Sequence, residues 1–124
     1  MLDPIKISMV LENLIDNAIK YSRPGGNVRV KLSDERVNSA QPGLEVSVSD
    51  SGIGIPVAEQ EKIFHRFFRA SNAVKESPDG SGLGLFISRD IIQKHGGQMW
   101  FDSKEGKGTD FHFSLPIQQN KNKV

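Results

Sequence analysis

The sequence predicts an α+β two-layer sandwich. Three observations lead there. The 124 residues have room for one domain. Helical and two-residue apolar periodicities alternate in the order helix, two strands, helices, loop, helix, two strands. No internal repeat and no linker marks off a second unit.

The first element is a helix. Asp3 can cap it and Pro4 takes the first helical position, where a missing N–H costs nothing. Ile7, Leu11, Leu14, Ile15, Ala18 and Ile19 then recur at helical spacing as far as Tyr21. Ser22-Arg23-Pro24-Gly25-Gly26 stops it. Two alternating runs follow, with Val28, Val30 and Leu32 on one face and Leu44, Val46 and Val48 on another. The polar stretch 34–43 between them reads as a long hairpin loop. Residues 57–68 read as one or two short helices, and 70–81, polar and without period, as a mobile loop. A helix over 83–95 places Leu83, Phe86, Ile87, Ile91 and Ile92 on its buried side, and Gly96-Gly97 closes it. Residues 98–102 and 109–115 form a final hairpin, and 117–124 reads as a frayed tail.

Composition removes several classes of function. Sixteen basic and fifteen acidic residues leave a formal charge of +1, without the basic excess of a dedicated nucleic-acid binder. The absence of cysteine excludes disulfides, thiolate metal sites and thiol catalysis, and it fits a reducing compartment. No apolar run approaches the roughly 20 residues of a membrane helix, and no signal-peptide pattern follows Met1. Glycine, at 12 residues, is in excess for this length.

Four clusters could carry chemistry. Asn13, Asp16, Asn17 and Lys20 share one face of an otherwise apolar helix. Their oxygens suit a hard cation such as Mg²⁺, and Lys20 suits a phosphate, although a solvated polar face has the same spacing. Asp50, at a strand end before Ser-Gly-Ile-Gly-Ile, can accept a hydrogen bond from an exocyclic amine, or merely cap a tight turn. Gly80-Ser81-Gly82-Leu83-Gly84-Leu85 leads into a helix, where backbone N–H groups and the helix dipole favour an anion. The motif is neither a Walker loop nor a dinucleotide fingerprint, and a flexible hinge is its plain alternative. Gly106-Lys107-Gly108-Thr109 alone is a hairpin turn. Phe64, Phe67, Phe68 and Arg69 make a further cluster, with aromatics at the spacing of a core.

Taken in order, these segments resemble the ATP-binding domain of bacterial two-component sensor histidine kinases, within the gyrase, Hsp90, histidine kinase and MutL superfamily. Residues 13–22 are similar to its N box, 50–56 to the first glycine box and 63–69 to the F box. Residues 80–85 and 106–109 are similar to the second and third glycine boxes, and seven of the 12 glycines fall in these three. The resemblance covers residues 3–116. It implies ATP and Mg²⁺ as cofactors, and three helices against a mixed, mostly antiparallel sheet (the Bergerat fold). Asn17 would be the main metal ligand, with Asn13 beside it as metal ligand and catalytic residue. Lys20 would reach the phosphates and Tyr21 would pack near the adenine. Asp50 would bond the adenine amine, Gly54 would let the base lie flat, Ile55 would line the pocket and Thr109 would sit under the base. Arg69 would approach the phosphates. Residues 70–81 would be the lid, hinged at Gly80, Gly82 and Gly84, which also supply N–H donors. Gly52, Phe64, Leu83 and Leu85, in the same boxes, would line the nucleotide site.

Two departures refine the expectation. Hydrolysing branches of the superfamily carry a glutamate at the position of Asn13, and asparagine cannot act as a general base. ATP would therefore be held for transfer and hydrolysed poorly. His65, His95 and His112 lack the acidic follower of a phosphoacceptor and read as structural, on a helix, at a helix end and on an outward strand face. The opening strand that usually precedes Asp3 is missing as well. The expectation is thus an excised piece of a longer kinase, binding ATP without autophosphorylating alone. Its partners would be the histidine-bearing dimerisation domain of the same kinase and a response regulator, with no nucleic acid and no direct membrane contact. The domain would be cytoplasmic, whether or not the full-length protein is anchored in the inner membrane. A non-transferring ATP/ADP module and an anti-sigma-factor-type serine kinase are the alternatives.

Overall fold

The computed structural model describes residues 2–38, 41–78 and 80–116. Helix α1 spans Pro4–Tyr21, and Asp3 caps it by accepting from the N–H groups of Ile5 and Lys6 at 3.0 and 3.2 Å. Strands β1 (Val28–Asn38) and β2 (Gln41–Asp50) follow, then a 3-10 helix (Val57–Lys62) and helix α2 (Ser71–Glu76). Helix α3 (Gly84–Lys94) leads into β3 (Gln98–Lys104) and β4 (Gly108–Pro116). The sheet order is β1-β2-β4-β3.

Helices α1 and α3 cover one face of the sheet. Val10, Leu14 and Ala18 of α1 and Ile91 and Ile92 of α3 meet Val46, Val48, Met99, Phe111, Phe113 and Leu115. The two-residue period of the strands sends the polar partners to the opposite face, where Trp100 stacks on His112 at 5.3 Å. That face completes the two-layer architecture expected from the element order.

The structure corrects several expectations. Every strand pair among the described residues is antiparallel, so the sheet is not mixed. The polar stretch 34–43 is not a long loop: Asp34 pairs with Leu44 and Arg36 with Pro42, because register continued from Val30 and Val48 satisfies the backbone. The stretch 70–81, expected as a mobile loop, contains α2, a single short helix that apolar periodicity is too brief to reveal. His65 lies in a turn after the 3-10 helix, not on a helix. Ile19 and Ile87 are exposed, because α1 and α3 present Ala18 and the small Ser88 to each other's layer instead. Val30 and Leu32 share the helix-facing side of the sheet, yet Leu32 is 66% exposed. Their strand is the outermost and α1 does not reach across it. The expected frayed tail at 117–124 lies outside the described residues.

Candidate functional site

The ends of these elements enclose a narrow cleft of about 60 Å³ that opens to solvent. Its floor is the strand end of β2. Asp50 Oδ1 accepts from the Gly52 N–H at 2.9 Å, which folds the chain back and leaves the second carboxylate oxygen free of that bond. Burial pushes the Asp50 carboxyl above its ordinary value, opposed by the N–H groups of Gly52 and Thr109 and assisted by the nearby charge of Asp110. Ile55 and Thr109 flank it, both buried.

The turn after Asp50 is held by its neighbours. Gly54 has φ +69°, and a Cβ there would lie 2.2 Å from the Lys104 carbonyl oxygen, so the close approach of the third-box hairpin demands glycine. The Gly106 N–H donates to the Ile53 carbonyl at 2.7 Å across the same contact. Ser103, which no motif marks, is the hub beneath it. Its Oγ accepts from the Ile55 N–H at 2.8 Å and lies 2.8 Å from Thr109 Oγ1. Gln60 adds a clamp, donating from Nε2 to the Ile55 carbonyl at 3.0 Å.

A second, more polar chamber adjoins the first and shares Asn17, Tyr21, Ile63, Ala70, Ala73 and Leu85 with it. Lys20, Arg69, Gly80, Gly82 and Gly84 line it. The glycines precede and begin α3, whose first N–H groups lack helical acceptors and favour an anion. Cation donors thus gather at one end and an apolar slot with a single carboxylate at the other. That division matches a ligand with a planar amine-bearing base and a phosphate chain.

Most of the predicted site residues line this double cleft: Asn17, Lys20, Tyr21, Asp50, Gly54, Ile55, Arg69, Gly80, Gly82, Gly84, Leu85 and Thr109. Four others do not. Asn13 turns its amide to Ser88 Oγ on α3 at 3.1 Å, tying the two helices together. Gly52 packs on the end of α1, where a Cβ would lie 2.1 Å from the Tyr21 carbonyl oxygen. Phe64 stands edge-on to Phe101 and Phe111 at 5.7 and 6.4 Å, half-buried against the core. Leu83 is the N-cap of α3 and lies outside the lining. Asn72 was not foreseen. Its Nδ2 donates to the Gly54 carbonyl at 2.9 Å, and its Oδ1 is buried without a partner.

Comparison with known proteins gives the family. Residues 2–119 match the family model described as histidine kinase-, DNA gyrase B-, and HSP90-like ATPase. The chain belongs to that family. Sensor histidine kinase WalK of Bacillus subtilis (strain 168) is 45% identical over 120 residues, covering 97% of this chain and 19% of WalK. Adaptive-response sensory kinase SasA of Synechococcus sp. (strain JA-2-3B'a(2-13)) is 44% identical over 93% of this chain and 29% of SasA. The chain therefore spans less than a third of these curated relatives. Among solved structures, mycobacterial sensor histidine kinase MprB superposes with a TM-score of 0.79 at 37% identity, over 92% of this chain and 74% of that one. Full-length ShkA in complex with AMPPNP gives a TM-score of 0.73 at 27% identity, over 90% of this chain and 21% of ShkA. As a histidine kinase-, gyrase- and HSP90-like ATPase domain, the chain carries the ATP-binding fold of sensor kinases. No described helix is long and apolar enough to cross a membrane.

Proposed function

We propose that this domain binds Mg²⁺·ATP and donates the γ-phosphate to a histidine on a separate dimerisation domain, from which a response regulator receives it. One observation supports this above the others: the Asp50 slot and the Lys20–Arg69–glycine chamber meet at Asn17 as one cleft. The Asp50 carboxylate accepts from the adenine amine with the oxygen that Gly52 does not use. Ile55 and Leu85 cover the base, and Lys20 and the N–H groups around Gly82 and Gly84 take the phosphates.

The donor set fits Mg²⁺. The ion prefers oxygen and needs only one or two protein ligands beside phosphates and water, and Asn17 borders both chambers. Phosphate oxygens and water would supply the other ligands. Asn13 stands beside Asn17 on α1, with its amide held by Ser88. When bound, the metal neutralises charge on the phosphate oxygens and orients the γ-phosphate.

Transfer needs no base from this chain. A histidine ring nitrogen forms the new P–N bond, the bond from the γ-phosphorus to the β–γ bridging oxygen breaks, and ADP leaves with the electron pair. The ring proton passes to solvent. Asn13 cannot activate water in the way a carboxylate would, so hydrolysis stays slow.

The reading extends to the longer protein. Its domain acts in the cytoplasm without contacting nucleic acid or membrane, whether or not the full-length kinase is anchored in the inner membrane. Adding the cognate dimerisation domain and γ-labelled ATP is expected to yield an acid-labile, base-stable label. No label despite intact ATP binding would leave a non-transferring module, and an acid-stable label would indicate a serine kinase.

A further inference from the structure

Asn72 is fastened to the cleft wall through one half of its amide. Its Nδ2 donates to the Gly54 carbonyl at 2.9 Å and to the Ile53 carbonyl at 3.5 Å. These two carbonyls fix the orientation of the amide, because the reversed amide would set oxygen against oxygen. Oδ1 takes the other side, where it is buried and accepts from no group among the described residues. A buried acceptor without a partner is costly, and its persistence calls for an explanation. The other such side-chain atom among the described residues, His112 Nε2, belongs to the far face of the sheet, 3.4 Å from an Asp102 oxygen.

The backbone that carries Asn72 is anchored. The Glu59 carboxylate accepts from the Ser71 N–H at 2.8 Å and from the Ser71 hydroxyl at 2.9 Å. Asn72 therefore holds its amide at a fixed point near the start of α2. It lines the same narrow cleft as Asp50, Ile55 and Thr109. Asp50 reaches that cleft from the end of β2, with Oδ1 bonded to the Gly52 N–H. In the nucleotide reading above, its second oxygen accepts one N–H of the adenine amine. That amine carries two N–H donors. Inside a narrow cleft the second donor needs an acceptor as much as Asn72 Oδ1 needs a donor. Each orphan satisfies the other.

We propose that Asn72 is a specificity-determining residue, whose Oδ1 accepts the second N–H of the amine that Asp50 holds by the first. The inference rests on the nucleotide reading and deepens it, since two acceptors from two elements now grip one amine. A purine with a carbonyl oxygen at that carbon, as in guanine, sets oxygen against both acceptors and is rejected. A purine with only hydrogen there leaves both acceptors unpaired.

Calorimetry on the domain with ATP and with purine riboside triphosphate, which carries hydrogen in place of the amine, tests the assignment. The wild type is expected to prefer ATP by about tenfold or more, and Asn72→Ala to lose about five- to tenfold of that preference. Loss of the bond to Gly54 weakens both ligands alike, so the ratio isolates the amine contact. An unchanged ratio in the variant would overturn the role of Asn72 and leave the nucleotide reading standing. ATP with an isotope-labelled amine nitrogen gives a second readout on the wild type, whatever the variant does. NMR is expected to resolve two amine proton signals, both shifted downfield and protected from exchange with water. A single averaged signal would overturn the proposal. No ATP binding, or equal binding of the two triphosphates by the wild type, would overturn the nucleotide reading and this inference with it.

Discussion

Asp50 is the residue on which recognition and stability pull apart. Its carboxylate is half-buried at a strand end, and burial raises its pKa above the ordinary 3.8. An acid whose folded pKa is raised contributes stability below its unfolded value. That contribution is lost as pH rises through the raised folded value. The proposed adenine recognition runs the other way, because only the ionised group accepts with both oxygens. ATP affinity should therefore weaken as pH falls through the raised value. Asp50→Asn keeps an acceptor for the Gly52 N–H and removes the buried charge. It is expected to melt no lower than the wild type near pH 7 and to lose its preference for ATP over GTP. Thermal melts and calorimetric titrations across pH check both. A large drop in melting temperature, or retained preference, would show that the carboxylate is structural.

At the scale of elements, the site depends on how the hairpin of β3 and β4 supports the turn after β2. Ser103 connects them through the Ile55 N–H and Thr109. Ser103→Ala orphans that N–H, so a loss of about 1–3 kcal/mol is expected in denaturant unfolding, with weaker ATP binding. Unchanged stability would mean that water replaces the hydroxyl. Ser103 also marks the limit of what was legible. Helices α1 and α3 announce themselves through caps, glycines and apolar spacing, and the glycine boxes point to the cleft. Ser103, Gln60 and Asn72 carry no local signal, because they bond the Ile55 N–H, the Ser103 carbonyl and the Gly54 carbonyl across 48, 43 and 18 residues of chain. The same cause explains Phe64 and Asn13. Both lie in recognisable boxes, but cross-chain packing against Phe101 and Ser88 decides where their side chains go. Element α2 was missed for a different reason: six residues are too few for a helical period to emerge.

Across the whole molecule, one layer builds the site and the other supports it. The helices bury the core on one face of the sheet, and the cleft opens where α1 ends, β2 ends and α3 begins. The fold positions each chemical group at an element terminus, where backbone donors and acceptors are unspent. Edge strand β1 stands apart from this work, with Val30 and Leu32 uncovered on the helix-facing side. The account's central claim is that one continuous cleft reads an adenine at Asp50 and a metal-bound phosphate chain at Asn17 and Lys20. The most direct test is a calorimetric titration of this domain with ATP, GTP and adenosine, with and without Mg²⁺. Saturable ATP binding that Mg²⁺ strengthens, weaker binding of adenosine and rejection of GTP are the predicted results. Equal affinity for ATP and GTP, or ATP binding indifferent to Mg²⁺, would contradict it.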